Sequence, residues 1–389
     1  MAEIQVPIGP QHPALEEPEL FLLTVDGEEI VDAQMRIGYN HRGMEKSAEY
    51  RNVTQVMYLF ERVCGICSHC HSTNFIRAVE AIAGLEIPKR AEWIRTLVGE
   101  LERIHSHLLW LGIAGHEIGF DTLWMYSWRD RELVQDMLEE ICGNRVNYGI
   151  NTLGGVRRDI RPEKVDDYLK ALDTLEERTN YYAKVAFDEG TLAARLSGVH
   201  VLPKEKAIEL CACGPMGRAS GVEADVRAEE PYMAYPEIPF KVITYHTGDI
   251  FGRAVVRILE TIESVKMCRY ILQNMPAGEI KLEKVPKKIP AGEAATRYEA
   301  PRGEDFHYVR ANGTEMPDRA KVRAPTMQNL PATLWSLKGS YIADAPIAIA
   351  SIDPCFSCTD RMALVRDLRS GKETKLPFKD LGKLAKEGK

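Results

Sequence analysis

Two pairs of cysteines are the residues of this sequence best suited to chemistry. The first pair is Cys64 and Cys67, and the second pair is Cys355 and Cys358. In a Cys-x-x-Cys motif the short loop lets both sulfurs turn to the same side, so two motifs can supply four soft ligands to one metal. Four such ligands suit zinc, an iron–sulfur centre or nickel. Because most of the chain separates the pairs, they do not match a zinc ribbon and indicate a site assembled inside a fold.

The remaining cysteines favour other interpretations. Cys70 follows Cys67 at the spacing that opens a ferredoxin cluster motif, but the Cys-Pro of that motif does not follow, so we expect no iron–sulfur cluster in this chain. Nine cysteines in a chain without a visible secretory signal indicate free thiols or metal ligands rather than disulfides. Four of them are expected to be buried small apolar residues: Cys142, Cys211, Cys213 and Cys268.

The composition is that of a globular protein. Of 389 residues, 45% are hydrophobic and 28% are charged, and the net charge is -7. The basic residues are dispersed, which predicts no nucleic-acid partner. No stretch approaches the roughly 20 apolar residues of a membrane-spanning helix. The sequence alone therefore predicts a cytoplasmic protein without a transmembrane segment, unless a partner holds it elsewhere.

The elements that position the cysteines are mainly helical. Residues 18–40 read as two strands joined by a turn at Asp26 and Gly27. Apolar residues recur every three or four positions in several stretches, which predict helices over 73–83, 94–111, 121–142, 162–189 and 249–274. Residues 275–300 are rich in proline and charge, and are predicted to form a surface loop with short strand character.

These patterns predict an α+β fold dominated by a central bundle of long helices. We divide the chain into five segments. They are an N-terminal β element (1–45), a helical core with the first cysteine pair (46–275), a loop and β segment (276–325), a C-terminal core segment with the second pair (326–361) and a Lys-rich tail (362–389).

Longer motifs around the cysteines resemble a known family. RVCGICSHCHS (62–72), EAPRGEDFHYV (299–309) and SIDPCFSC (351–358) resemble the large, catalytic subunit of nickel–iron hydrogenases. GPQHPALEEP (9–18) and GGVRRDI (154–160), together with YNHRGMEK, are similar to the energy-converting, membrane-bound subset that is related to the 49 kDa subunit of respiratory complex I. The resemblance extends over almost the whole chain and implies the fold of that large subunit.

The resemblance implies a role for each matching residue of the centre. Cys64 and Cys355 correspond to terminal nickel ligands, while Cys67 and Cys358 correspond to bridges between nickel and an iron that carries CO and cyanide. Arg302 corresponds to an arginine above this centre, where its fixed positive charge can act without titrating. Asp353 resembles the acid that orients this arginine.

Other matching residues concern protons and the centre's surroundings. Glu17 corresponds to the family's proton-accepting glutamate, and its neighbour Glu16 is the rival. His71 corresponds to a histidine that is expected to donate or accept a hydrogen bond near a bridging sulfur. We expect His69 to be a surface or core histidine. His105 and His107 lie two apart on one helix and are not expected to share a ligand role.

By this resemblance the chain catalyses the reversible reduction of protons to H2. Electrons would come from ferredoxin through a partner subunit with a 4Fe–4S cluster, and membrane-embedded subunits would couple the reaction to ion translocation. The chain would then lie at the cytoplasmic face of the membrane. The loop 42–46 is a candidate for facing the partner's cluster, or is an ordinary charged turn.

Two alternatives remain open at this point. His12 resembles a quinone-contacting histidine of the complex I branch, but that branch lacks the four cysteines, and Gly65 occupies the position of its quinone-binding tyrosine. A sulfur- or polysulfide-reducing relative with a modified metal site is the second alternative. The sequence also departs from many hydrogenases at Arg361, where a C-terminal histidine marks a cleavage site and contributes to a second metal site. This departure puts both features in doubt.

Overall fold

A computed structural model of the protein describes residues 3–360, 362–367 and 369–377. Arg361, residue 368 and residues 378–389 of the predicted Lys-rich tail therefore lie outside the described residues. Within them, helices predominate and are joined by small antiparallel sheets, as predicted for an α+β fold. No helix of this part of the chain is long and apolar enough to cross a bilayer.

The N-terminal sheet has the strand order β1-β2-β3, with β1 over Ile4–Ile8, β2 over Leu20–Asp26 and β3 over Glu29–Arg36. Gly27, in the turn between β2 and β3, has a φ of 64°, which glycine adopts without steric cost. This confirms the predicted hairpin. Buried side chains of this sheet form part of a hydrophobic core. The same core contains Phe356, a residue of the second cysteine motif.

Helices form the centre of the molecule. They are α1 (Met44–Ala48), α2 (Val53–Glu61), α3 (Ser68–Ala83), α4 (Lys89–Glu117) and α5 (Asp121–Cys142), followed by α6 (Val165–Asp188), α7 (Gly190–Leu196), α8 (Lys204–Glu209), α9 (Gly214–Ala219), α10 (Val226–Glu229) and α11 (Ile250–Asn274). The long helices agree with the predicted ones. Their ends follow local chemistry, since Gly84 closes α3 with a φ of 63° and Asp249 caps α11 by accepting the Gly252 N–H at 2.8 Å.

Helix α4 is the central element of the bundle. Most of its 29 residues are buried, and it packs against α5 and α11 and also contacts α3 and α13 (Ala345–Ala350). A helix of this length spans about 43 Å. It buries charged side chains as well as apolar ones, including Glu102 and Arg103. These charged residues become important at the metal centre.

The predicted β segment also exists, but it is more regular than expected. Residues 292–300 form a full strand, β6 (Gly292–Ala300), in a sheet ordered β6-β7-β8 with β7 over Gly303–Ala311 and β8 over Pro317–Arg323. The predicted strand character is confirmed, and the strand is longer than expected because pairing with β7 stabilises a stretch that has few strand-forming residues. Strand β1, which pairs along β2, lies within the predicted N-terminal β element, although only the two later strands were predicted individually.

The remaining elements are short. Two two-residue strands pair with each other, β4 (Asn151–Thr152) and β5 (Gly155–Val156), and two strands follow the second cysteine motif, β9 (Met362–Arg366) and β10 (Glu373–Pro377). Between the β segment and that motif lie α12 (Pro325–Leu337) and α13 (Ala345–Ala350). The second cysteine pair therefore begins a few residues after α13, deep inside the protein.

Candidate metal centre

The first cysteine pair lies in the loop between α2 and α3. The Cys67 N–H donates to Cys64 Sγ at 3.2 Å, and the Ile66 N–H lies 3.4 Å from the same sulfur. This backbone geometry turns both sulfurs to one side, as the two-residue spacing predicts. Cys67 then becomes the N-cap residue of α3.

Helix α4 holds this loop through Glu102. The carboxylate accepts the backbone N–H groups of His69 at 2.7 Å and Cys70 at 3.0 Å, in the first turn of α3. The helix N-terminus favours such a negative partner. Burial nevertheless raises the pKa of Glu102 well above its ordinary value, and the charge of Cys64 adds to this effect.

The second cysteine pair follows a constrained turn. Asp353 has a φ of 57°, a left-handed conformation that is costly for a residue other than glycine. Beyond it, the Cys355 N–H donates to Thr326 Oγ1 at 3.0 Å, and Cys358 Sγ donates to the Cys355 carbonyl at 3.2 Å. Such a backbone at a functional site is held in place by its surroundings, here by α12 and α13.

The structure brings the four cysteines together. Each is at least 96% buried, and Cys64 lies close enough to the other three for their thiols to affect its pKa. Hydrogen bonding to Cys355, Cys358 and Cys67, in that order, lowers the pKa of Cys64 well below the ordinary thiol value. Hydrogen bonding within the cluster and burial raise the pKa of the other three. The cluster thus already stabilises one thiolate, which is the ligating form of cysteine.

Arg302 lies directly against this cluster. Its Nη1 donates to Cys67 Sγ at 3.0 Å and lies 3.3 Å from Ser106 Oγ. Its Nε donates to the Asp353 carbonyl at 2.7 Å, and its Nη2 donates to Asp353 Oδ1 at 2.6 Å. The arginine is 2% exposed, so a fixed positive charge lies beside the sulfurs in a poorly solvated environment.

The two candidate proton acceptors lie near the cysteines in different ways. Glu17 accepts the Ser357 N–H at 2.7 Å and also the Ser357 hydroxyl, so it contacts the middle of the second motif. Burial raises its pKa, whereas the bonds from Ser357 oppose this effect. Glu16 lies at the surface of the chain, where the surrounding protein partly desolvates its carboxyl group; this desolvation and the charge of Asp353 raise its pKa to about 7. Both acids lie near the site, and the assignment of Glu17 as the proton acceptor remains a prediction.

His71 belongs to a buried cluster behind the first motif. Its Nδ1 lies 3.2 Å from His307 Nε2 and 3.4 Å from Asp305 Oδ1, and Cys70 Sγ donates to the other Asp305 oxygen at 3.4 Å. Donor atoms of Cys70, His71 and Asp305 are close enough together to contact one metal ion. Hydrogen bonds among these groups already account for their spacing. The predicted role of His71 at a bridging sulfur remains a prediction.

The other histidines have ordinary structural surroundings. His69 is buried, and its Nε2 hydrogen bonds to the Arg95 carbonyl at 2.8 Å, as expected for a core histidine. His105 pairs with Arg131 at 2.6 Å and His107 with Glu260 at 2.9 Å. His12 accepts the Ala14 N–H at 3.1 Å and lines an open pocket that His116 and Arg195 share.

One cysteine prediction was wrong. Cys142, Cys213 and Cys268 are buried as expected, whereas Cys211 is exposed at the surface. It lies two residues after the end of the short helix α8, and it has a φ of 54°. The turn that ends this helix points away from the core, which the apolar character of a cysteine could not reveal.

Several residues of the site were not identified from the sequence. Glu102 contacts the first cysteine motif, and Ser106 contacts Arg302. Asp305 lies at the centre of the histidine cluster. Arg42 was singled out only as part of a loop, yet it donates to the carbonyls of Val63 at 2.7 Å and Ser357 at 3.2 Å. It thereby connects the backbones of both cysteine motifs. The positions of these four residues in the sequence do not indicate that they make these contacts.

Comparisons with known proteins agree with this geometry. A family model described as respiratory-chain NADH dehydrogenase, 49 Kd subunit, matches residues 117–289 and 283–361. A second model, nickel-dependent hydrogenase, matches residues 42–112. The chain belongs to the family of the complex I 49 kDa subunit and the nickel–iron hydrogenase large subunit. The family identified from the motifs is therefore confirmed.

Individual relatives of this family span nearly the whole chain. The membrane-bound hydrogenase subunit alpha of Pyrococcus furiosus is 46% identical over 99% of this chain and 93% of the relative. Formate hydrogenlyase subunit 5 of Escherichia coli is 39% identical over 99% of this chain and 67% of its own length. Among solved structures, a chain from the membrane-bound sulfane sulfur reductase, an archaeal respiratory membrane complex, superposes with a TM-score of 0.86. It is 32% identical and covers 92% of this chain and 98% of its own. The fold class is thereby confirmed, and the family supports an oxidoreductase.

Proposed function

We propose that this chain is the catalytic subunit of a membrane-associated nickel–iron hydrogenase that reversibly reduces protons to H2. The observation that carries the proposal is the cluster of four buried thiols with the Arg302 guanidinium on Cys67 Sγ. A subunit that had lost its metal would have no need for four buried cysteines around a stabilised thiolate. The 46% identity to a membrane-bound hydrogenase subunit supports the same function.

The residues present fit a nickel–iron centre. Four thiols supply soft donors, and two of them could bridge two metals, as the family motif implies for Cys67 and Cys358. A net negative set of sulfurs in a buried site requires positive charge nearby, and Arg302 supplies it. When bound, this centre with CO and cyanide on its iron supplies the two-electron chemistry of H2 formation and cleavage.

The chain's own residues would then move protons and fix charge. Cys64 Sγ is our candidate for taking up and releasing a proton, because a thiolate can transiently accept one. Glu17 is the proposed partner in this exchange, since the charge of Cys64 already influences its pKa. Asp353 orients Arg302 from two sides, and Arg302 keeps its charge throughout.

We extend the proposal to the partners. In the described residues, the centre has no iron–sulfur motif beside it, so electrons would enter from ferredoxin through a small subunit with a 4Fe–4S cluster. The loop around Arg42 faces the surface next to both cysteine motifs and is our candidate for this contact. Membrane-embedded subunits would hold the chain at the cytoplasmic face and couple turnover to ion translocation.

The test is elemental analysis together with turnover. We expect about one nickel per chain in the purified complex, and H2 evolution with reduced ferredoxin. A complex without nickel that reduces quinone would instead support the complex I-like alternative. The structural similarity to the sulfane sulfur reductase is the reason to test a third outcome, in which sulfane sulfur is reduced faster than protons. Either of these results contradicts the hydrogenase proposal.

A further inference from the structure

Arg302 lies in an unusual position, at the buried tip of a β-hairpin. The last pair of the β6–β7 ladder joins Ala300 and Gly303, so Pro301 and Arg302 form a two-residue turn. Turns of this kind usually lie at the surface, where water satisfies their backbone groups. Here the tip is buried among helices, and the carbonyls beside it need partners from the protein.

Arg103 of helix α4 supplies these partners. Its Nη2 donates to the Glu299 carbonyl at 2.6 Å, and its Nη1 donates to the Ala300 carbonyl at 3.2 Å. Glu100 Oε2 lies 3.3 Å from Nε and helps to orient the guanidinium. The side chain is 1% exposed, so water could not replace it without a rearrangement. Arg103 thus binds the two carbonyls directly before the turn.

The opposite side of the hairpin tip meets backbone. A Cβ at Gly303, whose φ is 127°, would lie 2.7 Å from Cys213 Sγ and 2.9 Å from the Gly214 nitrogen. The tip therefore has no room to shift toward α9. Arg103 on one side and Cys213 and Gly214 on the other define where the turn can lie.

Helix α4 also contacts the guanidinium of Arg302. Ser106 follows Arg103 by three positions, so both side chains lie on the same face of the helix. Ser106 Oγ lies 3.3 Å from Arg302 Nη1, the same nitrogen that donates to Cys67 Sγ. One helix face therefore holds the backbone of the turn through Arg103 and the reactive end of Arg302 through Ser106.

We propose that Arg103 is a positioning residue that fixes Arg302 relative to Cys67. It acts through the hairpin tip, because its hydrogen bonds hold the backbone from which Arg302 extends. Without its fork of donors, the two buried carbonyls lose these hydrogen bonds and the tip relaxes. The kinetic consequence rests on the proposed function, whereas the geometric consequence does not.

The experiment compares Arg103→Lys with Arg227→Lys in the assembled complex. Arg227 is the matched control because it is equally buried and also pairs with Glu100, at 3.1 Å, while its other ion pair goes to Asp225. Each lysine variant keeps the charge and loses the planar fork. A second variant, Arg103→Gln, keeps a donor and removes the charge. Nickel content, H2 turnover and the structure around Arg302 are measured for each.

We expect Arg103→Lys to keep its nickel, to displace residues 299–302 and to lengthen the distance between Arg302 Nη1 and Cys67 Sγ. Turnover should fall by about 10- to 100-fold, since a misplacement of about 1 Å can cost that much. Arg227→Lys should leave both the tip and the turnover close to wild type. Arg103→Gln should show the same displacement as Arg103→Lys.

Three results would overturn the proposal. They are an unmoved tip with full turnover in Arg103→Lys, an equal loss in Arg227→Lys, or loss of nickel in both Arg103 variants, which would assign the residue to assembly of the site. If the wild-type complex contains no nickel and forms no H2, the proposed function fails. A tip displaced only by the Arg103 variants would still support the positioning role.

Discussion

Replacing Arg302 by lysine tests the centre most directly. The guanidinium uses three different nitrogens to contact its partners, with Nη1 on Cys67 and with Nε and Nη2 on Asp353. A lysine ammonium keeps the charge, but its single nitrogen cannot occupy these separate donor positions. If the ammonium keeps its contact with Asp353, we expect it to lose the contact with Cys67 Sγ.

The expected magnitude follows from that one contact. A hydrogen bond to a charged group contributes about 1.5–3 kcal/mol. If the hydrogen bond to sulfur contributes its full free energy to the rate-limiting transition state, its loss lowers turnover by roughly 10- to 150-fold. Each factor of ten corresponds to about 1.4 kcal/mol. Nickel content should not change, because no cysteine is altered.

The assay is H2 evolution from a reduced dye, normalised to nickel per chain. Arg310→Lys is the control, because Arg310 lies on the same hairpin, is about half exposed and forms an ion pair with Asp318 at the surface. It should keep wild-type turnover. The reasoning is refuted if Arg302→Lys retains turnover within about threefold of wild type, a change of less than 1 kcal/mol. Loss of nickel would make Arg302 a structural support of the centre.

Three further predictions concern other parts of the site and its surroundings. Cys358→Ser should remove nickel and H2 evolution together, because a serine oxygen is a poor ligand for a soft metal; full activity in this variant would exclude a bridging role. Glu17→Gln should abolish turnover and H/D exchange with water while nickel is retained, whereas Glu16→Gln should remain active; the reverse result would exchange the roles of the two acids. The third prediction concerns acid stability, since burial lowers the pKa of His107 to about 4, below the value of about 6.5 expected in the unfolded chain. The unfolded chain then binds one more proton between these values, so stability falls by about 1.4 kcal/mol per pH unit as pH decreases from 6.5 to 4. The melting temperature of His107→Gln should therefore fall less between pH 7 and pH 5 than that of wild type. An equal fall in both proteins would contradict the lowered pKa of His107.

Much of the helical architecture could be predicted from the sequence because its signals are local. Apolar periodicity indicated α4 and α11. The glycine after α3 indicated the end of that helix, because glycine readily adopts the left-handed backbone of a helix C-cap. Strand β6 could not be predicted in the same way. Its stability depends on pairing with β7 and on burial against α3, and neither partner is visible within the stretch itself.

The sequence by itself determined which donors this protein offers and how they are paired. The spacing of Cys64 from Cys67, and of Cys355 from Cys358, requires only a short loop to turn two sulfurs to one side. The pairing is a property of side-chain type and short-range geometry, so it can be recognised in a linear chain. The position of Arg302 near the cysteines was implied only by the resemblance of its motif to the hydrogenase family.

Only the tertiary structure decided what holds those donors in place. Arg103 contacts the Glu299 carbonyl across 196 positions of sequence, and Glu102 binds backbone N–H groups at the start of α3. Nearly every residue carries a backbone N–H and a carbonyl, so the sequence does not indicate which of them will be buried and need a partner. That choice arises when α4 packs against the cysteine loop and the hairpin tip, because burial then makes each unpaired polar group costly.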